Sequence, residues 1–160
     1  MMPPTELRIR AAREADLSLI VGLLANDPLG SQRERFEDPL PESYLRAFEA
    51  ITADPNHELI VAILGGSVIG VLQLTFIPHM TYRGGWRAQI EGVRVAESAR
   101  STGVGGALIE WAIARARDRG CHVVQLTTDT RRPQALEFYQ RLGFDPTHHG
   151  MKLHLDRGTV

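Results

Sequence analysis

The residues best suited to chemistry gather in one stretch, Val93-Arg94-Val95-Ala96-Glu97-Ser98-Ala99-Arg100-Ser101-Thr102-Gly103-Val104-Gly105-Gly106-Ala107-Leu108. A β-rich run enters a short loop, then a glycine-rich turn, then a long amphipathic pattern. Backbone N–H groups left free at a helix start, with no side chains crowding them, form an anion site suited to phosphates. Arg100 adds a fixed charge that pairs with phosphate oxygens. Two nucleotide patterns fail. No lysine follows the glycines, as a P-loop requires, and the third glycine of a Gly-x-Gly-x-x-Gly fingerprint is replaced by Leu108. Taken alone, the motif also fits an ordinary glycine turn before a surface helix.

Other reactive side chains are sparse. Gln89 and Glu91 fall on one face of the preceding strand pattern and Ile90 on the other. Cys121, the only cysteine, stands outside the glycine segment at the start of a short strand and reads as a small buried apolar residue. His148, His149 and His154 make no metal-ligand spacing with Cys121, so no metal is expected.

The elements that must position these residues alternate in type. Residues 7–11 read as a first strand, and Asp16 could cap a helix from Leu17 to Ala25 that stops before Asp27-Pro28. Residues 26–41 read as loop, and a second helix runs from Glu42 to Ala53. Leu59–Leu64 and Val68–Ile77 form a hairpin about Gly65-Gly66-Ser67. A polar loop, 79–85, leads to a strand from Ala88 to Val95. Val104–Arg119 is a helix with basic residues near its end and Gly120 as its C-cap glycine. Trp111 and Phe138 read as core. A strand at His122–Thr127, a helix at Pro133–Leu142 and a last strand at Met151–Leu155 complete the order.

Composition limits the partners. The 160 residues carry 18 Lys+Arg and 19 Asp+Glu, a formal net charge of −1. That balance removes the electrostatic reason to expect nucleic acid or an anionic membrane. No apolar run approaches the roughly 20 residues of a membrane helix. A lone cysteine and an N-terminus without a basic-then-apolar leader make the cytoplasm the default. Lys152 is the only lysine, read here as the codon bias of a GC-rich, bacterial genome.

Arg100-x-x-Gly103-x-Gly105 resembles the Gln/Arg-x-x-Gly-x-Gly/Ala signature of the GNAT superfamily of acyl-CoA-dependent N-acetyltransferases. It lies where that family has it, between the fourth strand and the third long helix. Pro133-Gln-Ala-Leu-Glu-Phe-Tyr139-Gln-Arg-Leu-Gly-Phe144 resembles the family's Tyr-bearing helix and turn. The resemblance covers residues 7–156 as a single domain. It implies an α/β fold: a mixed, mostly antiparallel sheet of six or seven strands, splayed at its middle and flanked by helices on both faces.

The same resemblance implies acetyl-CoA as co-substrate. Its pyrophosphate would rest on Arg100, Ser101, Thr102, Gly103, Val104, Gly105 and Gly106. Its pantetheine arm would follow Val93, Arg94 and Val95, freed by a bulge at Gly92. Arg132 stands where many members carry a cofactor-touching asparagine and could reach a phosphate instead. Tyr139 is the candidate acid for the departing thiolate, and Glu91 the candidate base for a primary amine, attacked directly in a ternary complex. His79, Tyr82, Gln89 and Glu91 are expected to line the acceptor pocket, with Trp86 and Arg87 beside them and residues 26–41 at its border. A small-molecule amine is the first expectation. A protein lysine or N-terminus, or a non-catalytic CoA sensor, are the alternatives, and a homodimer is the family's common habit.

Overall fold

The structure is a computed structural model and describes residues 1–155. The chain forms two compact units, Met1–Leu126 and Thr127–Val160, the second described as far as Leu155. Asp156, the expected end of the domain, lies outside the described residues.

The first unit is built on five strands in the order β1 (Arg8–Ala11), β2 (His57–Leu64), β3 (Ser67–Pro78), β4 (Trp86–Val95) and β5 (Val123–Leu126). Neighbours are antiparallel except β4 and β5, which are parallel. Helices α1 (Leu17–Ala25), α2 (Glu42–Ala53) and α4 (Val104–Asp118) flank the sheet, and α3 (Thr81–Gly84) is a four-residue turn between β3 and β4. Both sheet faces are covered at its centre. Ile60, Val61 and Ala62 are consecutive buried residues of β2, and Val71 and Leu72 are buried neighbours on β3. Because successive side chains point to opposite faces, such runs need apolar cover on each.

On one face Ile20 of α1 packs with Val61, Val68 and Val71. On the other, α4 approaches so closely that a side chain at Gly70 would meet Leu108 at 3.0 Å. Leu108 and Ile109 of α4 and Leu72, Leu74 and Phe76 of β3 are all fully buried. Arg115 of α4 binds Glu58 of β2 at 2.7 Å, and Arg119 lies 4.2 Å over the Phe76 ring. Gly120, at φ +69°, ends α4 as its sequence position predicts.

Three expectations change. Asp16 makes no side-chain cap to α1. Its carboxylate instead accepts from the Arg13 backbone N–H at 2.7 Å and from Arg10 at 2.6 Å, so it ties β1 to the turn before the helix. The described sheet has five strands, not six or seven. Met151–Leu155 is not a strand: its alternating Met151, Leu153 and Leu155 are all highly exposed, because alternation supplies one apolar face but no pairing partner.

The second unit carries α5 (Pro133–Arg141), opened by Pro133 in its first turn. The chain turns back at Gly143, φ +90°, where Phe144 N–H donates to the Tyr139 carbonyl at 3.1 Å.

Candidate active site

Strand β4 brings the polar candidates together. Ala88 and Ile90 are buried, and Arg87, Gln89 and Glu91 alternate with them onto the opposite face. Gln89 is half-buried and its Oε1 accepts from Gln125 Nε2 of β5 at 2.7 Å, which fixes it between the two parallel strands. Glu91 is exposed and stands opposite Gln73 of β3.

Immediately after Glu91 the register shifts. Gln73 pairs with Glu91 and Val71 with Arg94, so three steps on β4 match two on β3. The extra residue is a bulge, and Gly92 at φ +62° permits it without a side-chain clash. A bulge leaves backbone groups outside the ladder and bends the strand. Val93 and Val95 follow it, half-buried.

Arg94 is committed elsewhere. Its Nε lies 2.9 Å from Asp27 Oδ2, and the two side chains are only 15% and 11% exposed. Asp27 Oδ1 accepts from the N–H groups of Leu29 and Gly30, each at 3.0 Å. The ion pair therefore pins the start of the 26–41 loop to the bulged strand. Tyr44 of α2 holds the far part of that loop: its hydroxyl donates to Glu34 at 2.9 Å and accepts from Arg35 N–H at 3.0 Å.

The glycine turn follows. A 3-10 turn, Glu97–Ala99, ends at Arg100, and Thr102 Oγ1 donates to the Ala99 carbonyl at 2.7 Å. Ser101 and Gly103 are left-handed, at φ +60° and +89°, and Gly103 is the N-cap of α4. That cap has no side-chain hydrogen bond, so the first-turn N–H groups have no capping side chain to bind. A side chain at Gly106 would meet nothing within 4 Å. The backbone of Met1–Pro3 passes over Gly103, where a Cβ would lie 2.9 Å from the Met1 carbonyl oxygen. Beside the turn a cleft of about 390 Å³ is lined by Asn26, Asp27, Ser31, Glu97 and Arg100 among others.

His79 and Tyr82 sit elsewhere on the unit. Trp86, at the other end of β4, is five residues from Glu91, about 16 Å along an extended strand. There His79 Nε2 meets His122 Nε2 at 2.9 Å, and the Tyr82 ring stacks on His122 at 4.4 Å. Burial, the Arg87 charge and His122 hold the His79 pKa below the ordinary histidine value. Asp27 and His122 were not legible as site neighbours: Asp27-Pro28 reads as a helix stop and His122 as a strand start, and their partners lie far off in sequence.

Cys121 is half-buried, and burial pushes its thiol pKa up. A protonated thiol is a poor nucleophile. Among the described residues no group of three or more His, Cys, Asp or Glu is arranged to hold a metal ion, and no helix is long and apolar enough to cross a membrane.

In the second unit, Tyr139 of α5 is half-buried, its ring edge-on to Phe138 at 5.1 Å and to Phe144 at 5.9 Å. Arg132 is the N-cap residue of the same helix. Asp129 binds Arg131 at 2.8 Å just before it, and that guanidinium holds the carboxyl well below the usual range.

Comparison with known proteins bears on the family and the fold. Aminoalkylphosphonate N-acetyltransferase of Salmonella typhimurium is 29% identical over 150 residues, 92% of this chain and 90% of that protein. Glucosamine 6-phosphate N-acetyltransferase of Trypanosoma brucei brucei is 34% identical over 90 residues, 56% of this chain and 59% of that protein. The crystal structure of a transcriptional regulator from Bacillus halodurans C-125 superposes with a TM-score of 0.91 at 55% identity, over 92% of this chain and 99% of that one. The sequence profile of the acetyltransferase (GNAT) family matches residues 26–144, from the loop after α1 through the turn that follows α5, and the chain belongs to that family.

Proposed function

We propose that this chain transfers an acetyl group from acetyl-CoA to a small primary amine, by direct attack while both substrates are bound. The observation that carries the reading is one continuous segment in which Glu91, the Gly92 bulge and the left-handed turn at Ser101–Gly103 follow each other into α4. A carboxylate, freed strand backbone and an anion-binding helix start are the three parts this reaction asks of one wall.

Each part has a task. The turn from Arg100 to Gly106 holds the pyrophosphate, through backbone N–H groups and the Arg100 charge. Backbone groups of Val93 and Val95 pair with the pantetheine arm, and Arg132 reaches a phosphate. Glu91 receives the proton of the acceptor ammonium, through water. An alkylammonium has a pKa of about 10.4, so at pH 7 only about one molecule in 10³ is neutral and able to attack. Tyr139 donates its hydroxyl proton to the departing thiolate. Cys121 takes no covalent part.

The acceptor reading draws on the relatives. Two carry names for amines that bear a phosphorus oxyanion, aminoalkylphosphonate and glucosamine 6-phosphate. We place this chain's acceptor in the same class of small amines, with Gln89 and Glu91 at its amine end. The test is release of free thiol from acetyl-CoA in the presence of aminoalkylphosphonates, amino-sugar phosphates, uncharged alkylamines and lysine peptides. Turnover with a small amine supports the reading, and turnover with peptides alone overturns the acceptor class. The 55%-identical Bacillus halodurans protein is described as a transcriptional regulator. Saturable acetyl-CoA binding with no thiol release across the panel would favour a sensor instead.

A further inference from the structure

We infer that Arg87, with the His79–His122 pair beside it, forms a binding site for a phosphonate or phosphate group at the N-terminal ends of β4 and β5. Arg87 lies between Ile77 of β3 and Val123 of β5. It is half-buried, and its Nε is buried with no hydrogen-bond partner among the described residues. Arg10, Arg94, Arg115 and Arg131 show the contrast, since each binds a carboxylate. A guanidinium partly withdrawn from water without a counter-charge is costly, and a bound anion offsets that cost.

The surroundings supply donors and no competing acid. Neither residues 79–87 nor residues 119–123 contain Asp or Glu. The two histidines are set by backbone bonds, His79 N–H to the Gly85 carbonyl at 3.1 Å and His122 N–H to the Trp86 carbonyl at 2.8 Å. Their ring centroids are 5.1 Å apart and their planes 6° apart, with Nε2 to Nε2 at 2.9 Å. The rings therefore meet edge to edge and share one proton, and Thr81 Oγ1 holds the far nitrogen of His79 at 2.8 Å. Arg87 supplies the fixed charge and a planar fork of N–H donors, which suits the oxygens of a phosphoryl group.

The turn is held in this shape against local preference. Tyr82 and Arg83 are both left-handed, at φ +52° and +61°, a conformation that L side chains adopt at a cost. A side chain at Gly85 would strike His122 Cδ2 at 2.9 Å. Strain kept in a turn that does no core packing points to a ligand for that turn.

The oxyanion has two sources. Arg87, Gln89 and Glu91 share one face, with Arg87 about 13 Å from Glu91 along the strand. It could be the anionic end of the acceptor, an assignment that rests on the acetyl-transfer reading, or a free phosphate.

Calorimetry with methylphosphonate and with inorganic phosphate, in the absence of acetyl-CoA, tests the site whether or not the enzyme reading holds. Arg87→Gln should weaken both at least tenfold, Arg87→Lys should weaken them less, and acetate should bind poorly throughout. Circular dichroism confirms that each variant is folded. If the wild type binds neither anion, or if folded Arg87→Gln and Arg87→Lys both bind within twofold of wild type, the site does not exist. The source follows from steady-state kinetics. A KM that rises in Arg87→Lys for an aminoalkylphosphonate, but not for an uncharged amine of equal length, identifies the acceptor's own anion. A KM unchanged for both, with phosphate still bound, identifies a free phosphate.

Discussion

Asp27 Oδ2 lies 2.9 Å from Arg94 Nε, a contact between residues 67 apart in sequence that fastens the loop after α1 to the bulged half of β4. Both side chains are largely buried, so removing one partner leaves a charge in a poor environment. Asp27→Ala also strips the acceptor from the N–H groups of Leu29 and Gly30. It should cost about 3 kcal/mol of stability, the low end for breaking a buried pair. Arg94→Ala should cost less, because those two N–H bonds survive. Urea denaturation of the single and double variants checks this, and the double variant should lose less than the sum of the singles.

A pH limb of stability should trace to Asp16. Its hydrogen bond from Arg10, helped by the Arg13 N–H, holds the Asp16 carboxyl below its ordinary value. A depressed folded-state pKa gives stability that is complete above the unfolded value near 3.9 and is lost as pH falls through the folded value. Thermal unfolding should therefore show a decline below about pH 4 that is shallower in Asp16→Asn. An unchanged acid limb would assign the loss to other carboxylates.

Local signals made much of this fold legible. Leu17–Ala25 and Glu42–Ala53 have the bounds that the flanking Asp-Pro and Pro residues predict, and the bulge that the family resemblance implied falls on Gly92. What stayed hidden depends on tertiary partners. The pairs Asp27–Arg94 and His79–His122 join residues 67 and 43 apart, and nothing in the spacing of either residue announces the other. Met151–Leu155 shows the converse, a strand-like pattern that finds no strand to pair with. The glycine turn was legible because its geometry is local: a left-handed residue and a helix start adjoin in sequence.

The glycine turn should fail when its backbone is covered. Gly103→Val combines an unfavourable φ of +89° with a close approach to the Met1–Pro3 backbone. It should abolish measurable CoA binding, whereas Arg100→Ala should weaken binding by about 1–3 kcal/mol, the worth of a charge-assisted contact. Removing residues 1–4 should leave CoA affinity equal or tighter, because their backbone lies over the residue that caps α4. Calorimetry on the three proteins decides. Unaltered affinity in both point variants, with the fold intact, would rule out the turn as the pyrophosphate site.

Covalent catalysis by Cys121 is disfavoured by its raised pKa. Cys121→Ala should keep near-wild-type turnover, and mass spectrometry of enzyme incubated with acetyl-CoA alone should show no acetylated form. An acetyl adduct that decays on addition of amine would establish a two-step route.

The division of labour between Glu91 and Tyr139 gives the sharpest test of the chemistry. If Glu91 takes the ammonium proton, kcat/KM rises with pH along a limb whose shape, not only its height, changes in Glu91→Gln. A binding role alone would lower the whole profile without moving the limb. If Tyr139 protonates the leaving thiolate, Tyr139→Phe should lower kcat by about 10²–10⁴-fold, the range of a positioned general acid, with little change in CoA affinity. The thiol of CoA has a pKa near the ~8.5 of cysteine. As a thiolate it therefore leaves with modest help, which places the expected loss at the low end of that range. The phenylalanine variant keeps the ring that packs edge-on to Phe138 and Phe144, so its fold should survive and the rate can be read as chemistry. If one group acts on the incoming amine and the other on the departing sulfur, each variant should retain the pH signature of the residue left intact. Tyr139→Phe with full activity from pH 6 to 9 would mean that water serves as the acid.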